Sequence, residues 1–229
     1  AAPPKLSSLC RERLACLSPL SSRARGAAHG TLLSCARCPA LRYQFKQLRL
    51  KHPDYWNKPV PGTGPNSSPL LIVGLAPGLH GANRTGVPFE GDASGNLLHA
   101  TLQRLNLTGH LRITNVLKCL PRQNKPTGAE LTRCRPYFEQ ELNDFIRSKG
   151  KVIFALGRVA HERTLGVLQY KQRDHVFGHG AVHTLASGLT LVDSYHCSRY
   201  NTQTGRLTAE MFGEAMTEAA RIAGLSEAQ

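Results

Sequence analysis

Three short apolar runs and the amphipathic stretches between them frame this chain. Leu70-Leu71-Ile72-Val73 is continuously apolar, without alternation, the pattern of a strand buried on both faces. Residues 111–117 read as a second strand and 152–156 as a third. Residues 182–185 and 189–194 read as a hairpin across Ala186-Ser187-Gly188. Helical periodicity covers 94–105, 127–147, 158–168 and 207–223. In the second of these Tyr137, Phe138, Leu142, Phe145 and Ile146 are expected to face inward. A further helix is expected from about residue 31, carrying Cys35 and Cys38 and followed by Arg42, Lys46, Arg49 and Lys51. Residues 51–69 hold five prolines and read as a loop. Strands alternating with helices predict one α/β domain with a parallel sheet, and the sequence has no internal repeats.

Charge changes this picture more than size does. The 229 residues carry 29 Lys+Arg against 15 Asp+Glu, a net +14. That balance points to a polyanionic partner, nucleic acid before anionic lipid, and away from ordinary neutral metabolites. No run of apolar residues is long enough for a membrane span. The excess is uneven. Residues 1–51 hold ten Lys+Arg and one acid, or +9, while 52–229 hold nineteen against fourteen, or +5. Residues 1–28, rich in Ala, Ser, Pro and Arg, read as a basic, solvated tail, with an organellar transit segment as the alternative. Residues 29–229 read as a single domain. With no apolar signal segment, a reducing cytosol is the expected compartment.

Seven cysteines, unevenly spaced, make a poor disulfide framework. Cys35 and Cys38 form a C-x-x-C, while Cys119 and Cys134 bracket a loop with Pro121, Pro126 and Gly128. Two such pairs can converge on a four-thiolate site for zinc or an iron–sulfur cluster. Spacing leaves that open against a redox pair plus two buried thiols. Cys10 and Cys16 fall in the tail and read as bystanders.

In parallel α/β sheets the ligand lies beyond the carboxyl ends of the strands, and here each such end leads into unusual chemistry. After Val73 come six glycines within residues 74–95, a loop into which a ligand can press closely against backbone. Its spacing fits neither nucleotide-binding glycine motif. The second strand ends in Thr114-Asn115-Val116-Leu117-Lys118-Cys119, whose Asn can pair with an amide-like edge such as a nucleobase offers. The last ends in Tyr195-His196-Cys197-Ser198-Arg199-Tyr200-Asn201-Thr202-Gln203-Thr204-Gly205-Arg206, a polar, basic loop suited to DNA.

The long glycine motif, Thr-Asn-Val-x-Lys-Cys, the Tyr-His-x-Ser-x-x-Asn-Thr-Gln-Thr-Gly-Arg loop and the four cysteines, in this order from about residue 33 to 207, resemble a family 5 (type B) uracil-DNA glycosylase. The resemblance implies a three-layer α/β/α sandwich around a four-stranded parallel sheet. It implies a 4Fe-4S cluster, rather than zinc, on Cys35, Cys38, Cys119 and Cys134. It further implies a cytoplasmic, nucleoid-associated monomer of bacterial or archaeal type, acting on damaged bases in double-stranded and also single-stranded DNA by base flipping. No Lys stands out in the motifs as a Schiff-base nucleophile, so lyase chemistry is not expected. Phe89 would stack on the extruded base, Asn115 would bond its edge, and His196 would donate to a base carbonyl as charge develops. Ala76, Pro77 and Gly78 would line the pocket. Ser198, Arg199, Tyr200 and Asn201 would contact DNA. Leu75 and Ala76 cannot take a proton, so Asp92 is the expected water-handling group, alongside a helix-capping role. Cys197, after His196, reads as local variation. The competing class is a non-enzymatic nucleic-acid-binding module with a four-Cys metal site, which leaves Asn115, His196 and the glycine loop unexplained together.

Overall fold

The computed structural model describes residues 31–185 and 188–225. The tail expected over 1–28, Cys10, Cys16 and the hairpin tip Ala186-Ser187 lie outside the described residues. From Leu32 onward the chain forms one compact unit.

Five strands form one sheet in the order β2-β1-β3-β5-β4: β1 (Leu70–Gly74), β2 (Arg112–Asn115), β3 (Val152–Leu156), β4 (Val182–Thr184) and β5 (Thr190–Ser194). Neighbours among β2, β1, β3 and β5 run parallel, and β4 pairs antiparallel to β5. The sheet is therefore five-stranded and mixed, not the four-stranded parallel sheet expected. The hairpin read from the sequence adds the fifth strand at the edge. β4 is short, and its Val182 is exposed, as suits an edge.

Every residue of β1, β3 and β5 is buried. Alternation splits their side chains between two cores. Leu70, Ile72, Phe154 and Val192 pack with Leu98, Leu102, Phe212 and Met216, from α3 (Ala93–Arg104) and α7 (Ala209–Ala223). Leu71, Ile153, Ala155 and Leu191 pack with Phe138, Leu142, Phe145 and Leu165, from α4 (Gly128–Arg147) and α5 (Arg158–Val167). Each such fully buried Val, Leu, Ile, Phe or Met side chain stabilises the fold by about 1.5–3 kcal/mol. Helices thus cover both faces, giving three layers.

Local chemistry sets the element ends. The helix expected to carry Cys35 and Cys38 begins after them: α1 is Pro39–Lys51, preceded by a single tight turn at Leu32–Ser34. Proline suits the first helical position but keeps the residue before it out of the helical region. Cys38 accordingly sits at φ −118°, ψ 86°, and the C-x-x-C lies on a turn. Thr127 and Glu130 form a reciprocal capping box that starts α4. Ile146, expected inward, is partly exposed near the end of that helix.

One polar cluster is built into the layer between β2 and α4. Lys118 is fully buried, and its Nζ donates to Thr114 Oγ1 at 2.6 Å, to the Asn115 carbonyl at 2.7 Å and to Glu141 Oε2 at 2.5 Å. Glu141 also accepts from Thr114 Oγ1 and from the Gly62 amide. Removing one partner of such a pair strands the other charge in the interior. Glu141→Gln should therefore cost about 3–5 kcal/mol in urea unfolding. The double variant Lys118→Met/Glu141→Leu should recover most of that loss, since apolar replacement removes both charges together.

Candidate functional site

The site is assembled at the carboxyl ends of β1, β2 and β5. Gly74, the last residue of β1, lies in register beside Asn115, the last residue of β2. A β-carbon on Gly74 would sit 2.4 Å from Asn115 Oδ1 and 2.4 Å from Phe89 Cζ. The missing side chain is what lets the amide and the ring approach each other. Asn115 is buried, and its Oδ1 has no hydrogen-bond partner. A buried amide oxygen left open at the mouth of a cleft is a group prepared for an external donor.

Phe89 holds φ at +56°, a left-handed conformation costly for an aromatic residue. This conformation belongs to the turn between α2 (Ala82–Thr85) and α3. The Phe89 carbonyl packs so closely on Gly95 that a β-carbon there would lie 2.1 Å away. Its ring faces that of His196 with centroids 6.1 Å apart, tilted by 34°.

Asp92 performs two tasks with its two oxygens. Oδ1 accepts from the Gly95 amide at 2.9 Å, capping α3. Oδ2 lies against the loop before α2, where a β-carbon on Gly81 would be 2.2 Å from it and one on Gly78 3.0 Å. Those two glycines leave the carboxylate room to border the cleft.

Burial draws His196 below the ordinary imidazole value of 6.5, and the Asp92 charge offsets part of that. The histidine is consequently neutral at pH 7 and can donate one N–H. Its loop is held from two sides. Asn201 Nδ2 donates to the His196 carbonyl at 2.8 Å, and the buried Cys197 thiol donates to the Ser94 carbonyl at 3.4 Å. Burial pushes the Cys197 thiol up to about 12. Asn201, expected to touch DNA, thus spends its amide inside the protein. Ser198 caps α6 (Arg199–Gln203), a helical turn not foreseen in the sequence, and also borders the cleft. Arg199 and Tyr200 are exposed at its tip, Tyr200 by 71%.

Together Ala76, Pro77, Gly78, Phe89, Asp92, Asn115 and His196 line one cleft of about 480 Å³. The sequence reading missed His80, Ser94, Pro121 and Asn124 on its walls. His80 is tied by Tyr55 Oη at 3.0 Å, a partner 25 residues away that no local motif signals.

The four cysteines converge elsewhere. Cys35, Cys38, Cys119 and Cys134 line one pocket between the turn before α1, the end of the β2 segment and α4, with Arg37, Arg42 and Arg133 around it. None of the four is in a disulfide. Burial pushes Cys134 up to about 11 and Cys119 higher still, and on Cys119 the other three thiols add to the shift. The Lys118 amide donates to Cys134 Sγ at 3.3 Å. Four cysteines lining one pocket, with arginines around them and an amide donor to Cys134, fit a metal centre that would hold them as thiolates.

The uracil DNA glycosylase superfamily profile matches residues 61–220. A Type-5 uracil-DNA glycosylase of Thermus thermophilus is 41% identical over 213 residues, spanning 85% of this chain and 96% of that protein. Those of Mycobacterium leprae and Pyrobaculum aerophilum are 37% and 36% identical, spanning 83% and 84% of this chain and 92% and 91% of their own lengths.

The state of His196 sets a pH dependence. Its folded value lies below its unfolded one, so as pH falls the unfolded chain takes the proton first. The stability contributed by the neutral ring is complete above 6.5 and is lost as pH falls through the depressed folded value. The urea midpoint of the wild type minus that of His196→Gln should therefore shrink between about pH 7.5 and pH 5.

Proposed function

The chain belongs to the uracil-DNA glycosylase superfamily, and on that premise we propose that it is a monofunctional DNA glycosylase hydrolysing the N-glycosidic bond of uracil and of other deaminated or damaged bases. One observation carries the reading: the open Asn115 oxygen, the Phe89 ring, the neutral His196 and the Asp92 carboxylate share one cleft at the strand ends.

Each group has a task in that reaction. A base inside a duplex is out of reach, so it must first be extruded, at a cost of a few kcal/mol that is least for mismatched or damaged pairs. The extruded base lies against Phe89. Uracil offers an N3–H and an O4 side by side, and Asn115 can accept the first on Oδ1 while its Nδ2 donates to the second. As the bond from C1′ to the base nitrogen breaks, the electron pair passes onto the base and its carbonyl oxygen. A neutral His196 N–H donates to that oxygen, opposing the developing charge without bringing a full positive charge of its own. Water adds to C1′, with Asp92 placed to orient it and to receive its proton. Leu75 and Ala76 cannot do this. No lysine lines the cleft among the described residues, and hydrolysis needs none.

Two further parts of the reading concern grip. Arg199 and Tyr200, exposed at the α6 tip, would enter the gap left by the base. Lys46 and Lys51, exposed on α1, with the basic residues before it, would hold phosphates without reading sequence. Cys35, Cys38, Cys119 and Cys134 would hold a 4Fe-4S cluster, whose contribution is to crosslink the segment before α1 to α4 and to the chain leaving β2.

Asp92→Ala and Asn115→Ala should each slow single-turnover excision of uracil at least about tenfold, roughly 1.4 kcal/mol of transition-state stabilisation. Asp92→Asn keeps an acceptor for the α3 cap and separates charge from stability. An Asp92→Ala protein that is folded and excises at the wild-type rate removes Asp92 from the reaction. Scission after alkali on uracil, hypoxanthine, xanthine and ethenocytosine duplexes reads both the activity and its range. No scission of any of them favours a binding module.

The cluster has a separate readout. The purified protein should be brown, with about four irons and four inorganic sulfides per chain. Cys119→Ser should bleach it and lower its melting temperature. A colourless protein holding zinc contradicts the iron assignment.

A further inference from the structure

A second cluster of metal-ligating side chains lies away from both the cleft and the cysteines. Asp193 sits inside β5, within the otherwise uncharged run Thr190–Ser194, and is fully buried. An ionised carboxylate there is expensive unless its oxygens are matched. Oδ1 is 2.8 Å from Nδ1 of His161 on α5, itself buried. Oδ2 is 3.0 Å from Nε2 of His183 on β4, whose side chain is 12% exposed.

His161 makes the arrangement informative. Its other nitrogen, Nε2, is 2.9 Å from the backbone carbonyl of His175. A carbonyl only accepts, so Nε2 carries the hydrogen. A neutral imidazole has one hydrogen, which leaves the Nδ1 lone pair aimed at a carboxylate oxygen. Two electron pairs face one another across a buried gap. Such an arrangement needs either a second proton or a cation. A backbone carbonyl that fixes one ring nitrogen as donor and turns the other outward as a lone pair is the usual outer support of a metal-binding histidine. One ligand atom from each of His161, His183 and Asp193 lies within 4.8 Å of the other two. Ligands at about 2.0–2.2 Å from a tetrahedral zinc lie roughly 3.3–3.6 Å apart, so the His–Asp contacts of 2.8 Å and 3.0 Å open slightly as the ion enters.

We propose that His161, His183 and Asp193 form a binding site for a divalent transition-metal ion of the zinc class. Two imidazoles and one carboxylate suit such an ion, and three protein ligands leave a fourth position for water. The ion would join α5, β4 and β5. It would also steady the segment between α5 and β4, where His179 Nδ1 accepts from the Tyr195 amide at 3.2 Å, beside His196. The site is built of nitrogen and oxygen donors, so it does not compete with the cysteines for iron.

The test uses the protein with its cysteine centre loaded, stripped of loose metal by chelator and titrated with Co²⁺ and with Zn²⁺. The wild type should take up about one further ion per chain. With cobalt, visible d–d bands should appear without the near-ultraviolet charge transfer that thiolates give. Zn²⁺ should raise the melting temperature. His183→Gln, altered at the least buried ligand, and Asp193→Asn should each weaken binding by more than the ~100-fold that loss of an outer partner can cost. Absence of a further ion in the wild type overturns the proposal and leaves a proton between His161 Nδ1 and Asp193 Oδ1 in its place. Equal uptake by a folded His183→Gln variant overturns it too, placing the metal on other histidines.

Discussion

A lysine with no exposed surface has to be answered where it lies, and in this protein the answer organises the site. Lys118 Nζ reaches the Thr114 hydroxyl, the Asn115 carbonyl and the Glu141 carboxylate, while its own amide reaches Cys134 Sγ and its carbonyl accepts from Val60. One residue therefore fixes the end of β2, one face of α4 and the approach to the cysteine pocket. The Asn115 backbone carbonyl is held by the lysine charge, while its side-chain Oδ1 keeps no partner inside the protein. Burying the pair is costly, and hydrophobic residues of like volume would be no less stable. What the pair supplies is position.

The second constraint is space. At three points the cleft is shaped by side chains that are missing. Gly74 lets Asn115 and Phe89 meet, Gly95 lets the Phe89 carbonyl press onto α3, and Gly81 admits the Asp92 carboxylate. The left-handed backbone at Phe89 belongs with these, since the ring is brought over the strand ends only by a turn that aromatic residues rarely adopt. Polar groups that would otherwise be separated by ordinary side-chain bulk are gathered around one opening.

Much of this was legible in the sequence, for identifiable reasons. β1 and β3 announced themselves because strands buried on both faces need unbroken apolar runs. Asn115, Phe89, Asp92 and His196 stood in motifs at strand ends, where a parallel sheet puts its ligands. Pro39 already marked where α1 had to start, yet the helix was expected to begin near residue 31 and to carry the C-x-x-C. The hairpin was visible, yet its β4 strand was not counted into the sheet. The inward turn of Asn201 was hidden because its partner is a backbone carbonyl, which leaves no trace in residue type. His161 and Asp193 are 32 residues apart, and only the packing of α5 on the sheet brings them together.

The His196 loop has one further implication. It is fastened by the Asn201 amide on one side and the Cys197 thiol on the other, whereas Tyr200, between them in sequence, stands out in solvent. Ordering a loop on binding subtracts from affinity. Here the histidine is already set when DNA arrives, so its conformational entropy was surrendered on folding and does not tax the encounter. Any ordering cost falls instead on the exposed Tyr200 side chain. A fastened residue and an exposed one thus stand close together in the sequence, and only the exposed one has side-chain entropy left to lose on binding.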